Sequence, residues 1–297
     1  MPPIDLADLL GSWETYLRAE RKSPQTVRLY LGGVRTYLAW CASTGRRPVL
    51  DRSIVSAFVA DLLDQGRSDS TAHAYQKALR QYARWLAAEG ELDHDPLLGI
   101  RPPKLDAKVI PVLSDDQLKA LVAACQGPGL LDRRDEGLVR LLAETGIRAG
   151  EAVALQVDDV DVRGGLAVVR RGKGGKGRLV PFGPQTGRAI DRYLRLRRTH
   201  ARGQEPALWL GDRGKLCGYA CLRKALMRRA ALAGIKGFHP HVLRHTAASR
   251  WLAAGGSEGG LMAVAGWTRR EMLDRYVQAT RAELAAQEAR ALGLGDL

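Results

Sequence analysis

His241 and Arg244 stand three residues apart in the stretch HPHVLRHT, so on a helix they share one face and converge on one ligand. A guanidinium offers a planar fork of donors that fits a phosphate, and imidazole is the side chain best suited to moving a proton near neutrality. Further on, Gly266-Trp267 leads to Tyr276 on a turn that also holds Arg269, Arg270 and Arg275. A phenol with its ordinary pKa of about 10 is a weak nucleophile unless cationic groups assist it. Together these types could bind a phosphate, attack it with a hydroxyl and manage the protons.

Such residues need elements to hold them. His239-Pro240-His241 predicts a helix that opens with proline in its first turn and carries an apolar stripe of Val242, Leu243, Ala247 and Leu252. After the Gly255-Gly256 break a short helix is expected to end at Ala265-Gly266. Upstream, Ser114-Asp115-Asp116 is an N-cap signature, and a helix over 137–145 should stop at Gly146. Arg148 follows at once, with a new helix over 151–155. It would project from the junction, or pair with Glu144 or Glu151 as an ordinary surface residue. Residues 157–162, 166–170 and 178–181 read as strands, the last two joined by the flexible tip Gly172-Lys173-Gly174-Gly175-Lys176-Gly177. That tip lacks the glycine spacing and the strand-to-helix setting of a nucleotide-binding loop.

The first 90 residues have a different texture. Leu6, Leu9, Leu10, Trp13 and Leu17 share one helical face, and three more amphipathic runs follow to Leu86, which predicts a bundle of four helices. Prolines 96, 102, 103 and 111 then interrupt any periodicity. The expected division is a helical bundle over 1–92, an extended linker over 93–113, and a second domain over 114–297 with a helical tail from Ala279 that docks on its own domain or on a neighbour. The fold class is mainly α with a small antiparallel sheet in the second domain.

The chain of 297 residues carries a net charge of +14, which favours a polyanionic partner. Residues 1–104 hold 14 basic and 12 acidic side chains, against 32 and 20 in the rest, so the excess accompanies His241, Arg244 and Tyr276. Basic helices over 184–202 and 219–232 are expected to turn their arginines outward and add salt-dependent affinity. No apolar run has membrane-spanning length, and the acid-bearing start is not a secretion signal. Four scattered cysteines point to a reducing, cytoplasmic compartment, and the Cys217/Cys221 spacing matches no common zinc motif. His241 and His245 share a face, but no carboxylate completes a metal site.

In chain order these stretches resemble the tyrosine recombinases, or phage integrase family. GIRAGE at 146–151 looks like the family's first arginine box, GKGGKGRLVPF at 172–182 like the hairpin with its lysine, HVLRHT at 241–246 like the His-x-x-Arg box, and Gly266-Trp267 with Tyr276 like the last box and nucleophile. The bundle looks like the core-binding domain. The resemblance implies site-specific DNA recombination through a 3′-phosphotyrosine and a Holliday junction. Tyr276 would be the nucleophile, Arg148 and Arg244 the phosphate clamp, Lys173 the acid for the leaving oxygen, His241 a proton-transfer aid and Trp267 a partner beside the phosphate. Glu151 would steady the arginines, and His245 would be a buried, hydrogen-bonded histidine. No cofactor is implied, neither ATP nor metal. The implied partners are double-stranded DNA attachment sites and further copies forming a homotetramer in the synaptic complex, with an accessory directionality factor allowed.

Two departures qualify the match. Trp267 stands where many relatives have histidine, and its indole N–H can still donate one hydrogen bond. The bundle begins almost at Met1, leaving no room for an arm-binding domain, so short attachment sites of the Xer-like kind are expected. Besides a phage or mobile-element integrase, the sequence therefore accommodates an Xer-like chromosome or plasmid dimer resolvase. A type IB-like topoisomerase shares the same residue types, and a non-catalytic DNA-binding regulator would keep only the scaffold.

Overall fold

In a computed structural model of the chain, residues 5–103, 111–170, 177–274 and 276–277 are described. The chain divides into two units, 1–108 and 109–297.

The first unit contains α1 (Leu10–Ala19), α2 (Pro24–Ser43), α3 (Arg52–Asp64) and α4 (Asp69–Ala88). Each of the last three starts where a short polar side chain satisfies an orphan amide. Ser23 Oγ accepts from Thr26 N, Asp51 from Ser53 and Ile54 N, and Ser68 Oγ from Thr71 N. Trp13, Tyr37, Phe58 and Tyr82 fill the core. Gly33 allows α2 and α4 to close, since a Cβ there would lie 2.9 Å from Ala78 Cβ. Trp40 Nε1 donates to Asp61 Oδ2 at 2.8 Å, tying α2 to α3.

The expected linker is not extended at its start. Leu97 is 1% exposed within the bundle core, Arg52 donates to the carbonyls of Pro96 and Leu98, and Gln76 Nε2 donates to Arg101 O at 3.1 Å. Prolines forbid a helix here but not packing, and the apolar Leu97 and Ile100 supply the reason to pack. At the other end, Leu113 is buried in the core of the second unit, while 104–110 lie outside the described residues.

The second unit runs α5 (Asp115–Ala123), α6 (Leu130–Thr145), α7 (Ala149–Ala154), β1 (Val160–Asp161), β2 (Leu166–Val169), β3 (Arg178–Pro181), α8 (Pro184–Arg197), α9 (Tyr219–Leu232), α10 (Pro240–Ala253) and α11 (Glu258–Ala265). The strands form an antiparallel sheet in the order β1-β2-β3, with Val169 opposite Arg178 and Leu166 opposite Pro181. The first strand is shorter than the expected 157–162, because Val157–Asp159 is a 3-10 turn. A main core joins α6, α8, α9, α10 and the inner face of the sheet. A second, smaller cluster of Ala248, Leu252, Leu261, Ala265, Trp267, Leu273 and Tyr276 packs α10 against α11.

Helix α6 begins seven residues before the expected position, because its charged run does not face solvent. Asp135 is 0% exposed; it accepts from Arg134 Nη2 at 2.7 Å and Arg229 Nε at 2.8 Å, with Arg228 Nη2 at 3.4 Å. Arg134 also donates to Leu210 O and Arg229 to Ala124 O, both at 2.9 Å. Arg229 therefore belongs to this network rather than to an outward basic face. The same correction applies to Arg197, which is buried and donates to the carbonyls of Gly203, Ala207 and Leu208. That clasp ends α8 at Arg197, short of the expected residue 202. Cys217 and Cys221 form a disulfide at the start of α9, a pairing the low cysteine count gave no reason to expect, whereas Cys41 and Cys125 are buried free thiols. Among the described residues no helix is long and apolar enough to cross a membrane.

Candidate active site

Arg148 owes its position to a forced stop. Gly146 ends α6 with φ 62°, in the left-handed region that glycine tolerates best. A Cβ there would also come within 3.1 Å of Ala247 Cβ on α10. Ile147 plugs into the core, and Arg148 becomes the N-cap of α7. Its backbone N–H donates to Glu151 Oε2 at 2.9 Å, and its Nη1 to Glu151 Oε1 at 3.0 Å. Burial pushes the Glu151 carboxyl up, but hydrogen bonds from Arg178 and Arg148 and their charge outweigh it, so its pKa lies below the ordinary value and the group is ionised at neutrality.

Arg244 sits on α10, whose Val242 and Leu243 are buried in the main core. Thr246 Oγ1 accepts from Leu113 N at 2.9 Å and fixes the start of the unit to the same helix. Arg244 is only 4% exposed. Its Nη1 donates to Gly146 O at 2.6 Å and its Nη2 to Ala265 O at 2.8 Å, so one side chain bridges the ends of α6 and α11. Burial, then the charge of Arg148, brings its pKa down to about 10, which still leaves it cationic at pH 7.

Beyond Ala265, Gly266 caps α11 with φ 64° and turns Trp267 back over the arginine. The Arg244 Cζ lies 5.1 Å from the Trp267 ring centroid, and that ring stacks on Tyr276 at 5.2 Å and 16°. Tyr276 is 5% exposed. Its hydroxyl shares a hydrogen bond with His245 Nδ1, and the His245 ring meets His241 edge-on at 5.1 Å. Burial, followed by Arg244, His239 and Arg148, holds the His241 pKa below the ordinary histidine value, so its imidazole is neutral at pH 7.

Arg148, His241, Arg244, Trp267 and Tyr276 thus come from four separate stretches into one connected constellation. Lys173 lies outside the described residues, as do Arg275 and the tail from Ala279. Sequence reasoning missed the partners of two residues. For His245 the resemblance implies a buried, hydrogen-bonded histidine; the hydrogen bond is present and the residue half-buried. What the sequence does not give is its partner, the Tyr276 hydroxyl, although the spacing of four from His241 places both histidines on one face. Arg178 was read only as the start of a strand, and no local pattern announced its partner Glu151, which lies 27 residues earlier. Of the two acids considered for Arg148, only Glu151 is its partner, since Glu144 accepts from Gly183 N and Thr186 Oγ1 instead.

The arrangement gathers the cations Arg148 and Arg244, a neutral imidazole and a phenol, the side-chain types that bind a phosphate and attack it. Residues 111–283 match the phage integrase family, and residues 10–90 match the phage integrase N-terminal SAM-like domain. The tyrosine recombinase XerC of Pseudomonas fluorescens is 31% identical over 250 residues, covering 82% of each chain. The crystal structure of XerA recombinase aligns over 96% of this chain and 99% of its own, with 25% identity and a TM-score of 0.55. A lambda integrase tetramer bound to a Holliday junction aligns over 93% of this chain and 78% of its own, with 17% identity and a TM-score of 0.71. The chain belongs to the phage integrase family and is a site-specific tyrosine recombinase, an enzyme that breaks and rejoins DNA strands.

Proposed function

We propose that Tyr276 is the nucleophile of this recombinase. Its phenolic oxygen attacks a DNA phosphodiester, the 3′-phosphotyrosine bond forms as the bond to the 5′-oxygen breaks, and the 5′-hydroxyl leaves. Attack by a 5′-hydroxyl of a partner strand reverses the step and generates a Holliday junction. Arg148 and Arg244 hold the non-bridging oxygens and stabilise the charge that builds on them, the largest electrostatic contribution expected. Lys173 protonates the leaving oxygen, His241 assists proton transfer, and Trp267 seats the phosphate. Because the phosphotyrosine conserves the energy of the broken bond, rejoining needs no ATP.

The observation that carries this reading is the bridge made by Arg244. It spans the carbonyls of Gly146 and Ala265, lies under Trp267 and so brings the Arg148 turn and the Tyr276 cluster around one point. A nicked suicide substrate, from which the 5′-hydroxyl fragment diffuses away, should trap a covalent adduct whose modified peptide contains Tyr276. Tyr276→Phe should bind the same DNA and form none, and an adduct through another residue would remove the assignment.

We further propose that four copies act on two short sites in the cytoplasm, in keeping with the lambda integrase tetramer solved on a Holliday junction. An integrase of mobile DNA and an Xer-like dimer resolvase would use the same chemistry. The XerC likeness across most of both chains favours the second. Plasmids carrying a pair of candidate sites separate the two: resolution of a dimer without any phage-derived partner site supports the Xer-like role, and dependence on two unlike sites supports integration.

A further inference from the structure

Arg178 is the first residue of β3, opposite Val169, and its guanidinium reaches across to α7 and α11. Nη2 donates to Glu151 Oε2 at 2.7 Å and Nη1 to Glu151 Oε1 at 3.1 Å, while Nε donates to Val264 O at 2.8 Å. The side chain lies so close to Gly266 that a Cβ there would sit 2.9 Å from Arg178 Cζ. Glu151 therefore receives a two-pronged ion pair from Arg178 and only a single side-chain bond from Arg148, 3.0 Å to Oε1.

That asymmetry matters because of charge. A carboxylate as buried as Glu151, whose side chain is 7% exposed, needs a cation. With Arg148 as its only partner it would take that guanidinium in a fork and cancel its charge where an anionic phosphate must bind. With Arg178 in place, the three groups carry one positive charge in excess. Arg148, 23% exposed in its side chain, keeps donors turned from Glu151.

We propose that Arg178 is a positioning residue that occupies Glu151 and so leaves Arg148 available to the scissile phosphate. The inference rests on the assignment of Arg148 to the phosphate clamp. It gives strand β3 a part in catalysis that is independent of the lysine on the hairpin tip.

The test is single-turnover cleavage at saturating DNA, with binding measured separately and folding checked by thermal unfolding. Arg178→Met should slow cleavage by about 10- to 100-fold, less than the loss of a direct oxyanion contact. Adding Glu151→Gln, which removes the charge but keeps an acceptor for Arg148 N, should restore the rate to within about fivefold of the parent. On a substrate with a neutral methylphosphonate at the cleaved position, the Arg178→Met deficit should shrink to about threefold, since little charge is left to stabilise. A double variant as slow as Arg178→Met, or a deficit unchanged on the neutral substrate, would mean a merely structural residue and overturn the proposal. So would an Arg178→Met enzyme that cleaves normally. Should Arg178→Met not fold, Glu151→Gln alone decides, because a loss as large as that of Arg148→Ala is incompatible with the proposed role. The Arg148→Ala control keeps the two readings apart: normal cleavage there defeats the clamp assignment, whatever Arg178 does.

Discussion

The hydroxyl of Tyr276 shares a hydrogen bond with Nδ1 of His245, one helical turn from the His241 ring that it meets edge-on. The phenol is thus in contact with an imidazole that can accept its proton as the oxygen attacks. Replacing His245 with Phe should slow formation of the covalent complex by about 100-fold while DNA affinity changes little. Quench-flow measurement on the suicide substrate gives the rate, and an unchanged value would leave the contact without a catalytic part.

Arg244 does two things with one guanidinium: it satisfies two backbone carbonyls and presents charge beneath Trp267. Lysine cannot span both carbonyls, because it offers a point charge rather than a fork. Arg244→Lys should therefore lose about 1–3 kcal/mol of stability through an unsatisfied buried acceptor. Cleavage should fall by about 10²- to 10³-fold. Urea unfolding and single-turnover cleavage measure the two losses, and a lysine variant with full activity would contradict the fork geometry.

His241 gives a pH signature. Its folded pKa is depressed by burial and by Arg244, His239 and Arg148, so as pH falls below about 6.5 the unfolded chain takes up its proton first. Stability should then decline from near pH 6.5 down to the folded pKa and show no further His241 contribution below it. NMR titration of the free protein should find this imidazole ionising below the ordinary histidine value, and Arg244→Ala should move it upward by removing a neighbouring charge. A value unmoved by that substitution would disprove the electrostatic coupling.

Asp135 takes no part in this chemistry, yet it holds α6 to α9 through Arg229 and pairs with Arg134 beside it on α6. Asp135→Ala leaves the buried Arg134 without its carboxylate and Arg229 with Asp132 alone, and should cost about 3–5 kcal/mol. Chemical denaturation provides the number. A change below about 1 kcal/mol would show that the arginines find water instead.

Much of the site was legible because its local signals are strong. Gly146 before Arg148, proline in the first turn of α10 and Gly266 before Trp267 each mark a helix end, and those ends present the side chains. The four helices of the bundle were equally plain from their apolar faces. What the sequence concealed were features whose partners are distant along the chain. The expected start of α6 at residue 137 omits its charged first turns, whose buried partner Arg229 lies 94 residues from Asp135. Arg197 looked like part of a basic face until its carbonyl partners closed around it. Leu97 sat among prolines that suggested an open linker, although its own apolar surface drew it into the core.

By itself, then, the sequence determined which residue types are present and where most helices begin and end, the start of α6 and the end of α8 excepted, since capping, proline geometry and apolar periodicity act within a few residues. Only the tertiary structure decided how the charges are shared. Whether a guanidinium meets a carboxylate, a carbonyl or open solvent depends on neighbours brought from other parts of the chain. That is why Arg229 is locked in a buried network, Arg178 is paired with Glu151, and Arg148 is left with donors to spare.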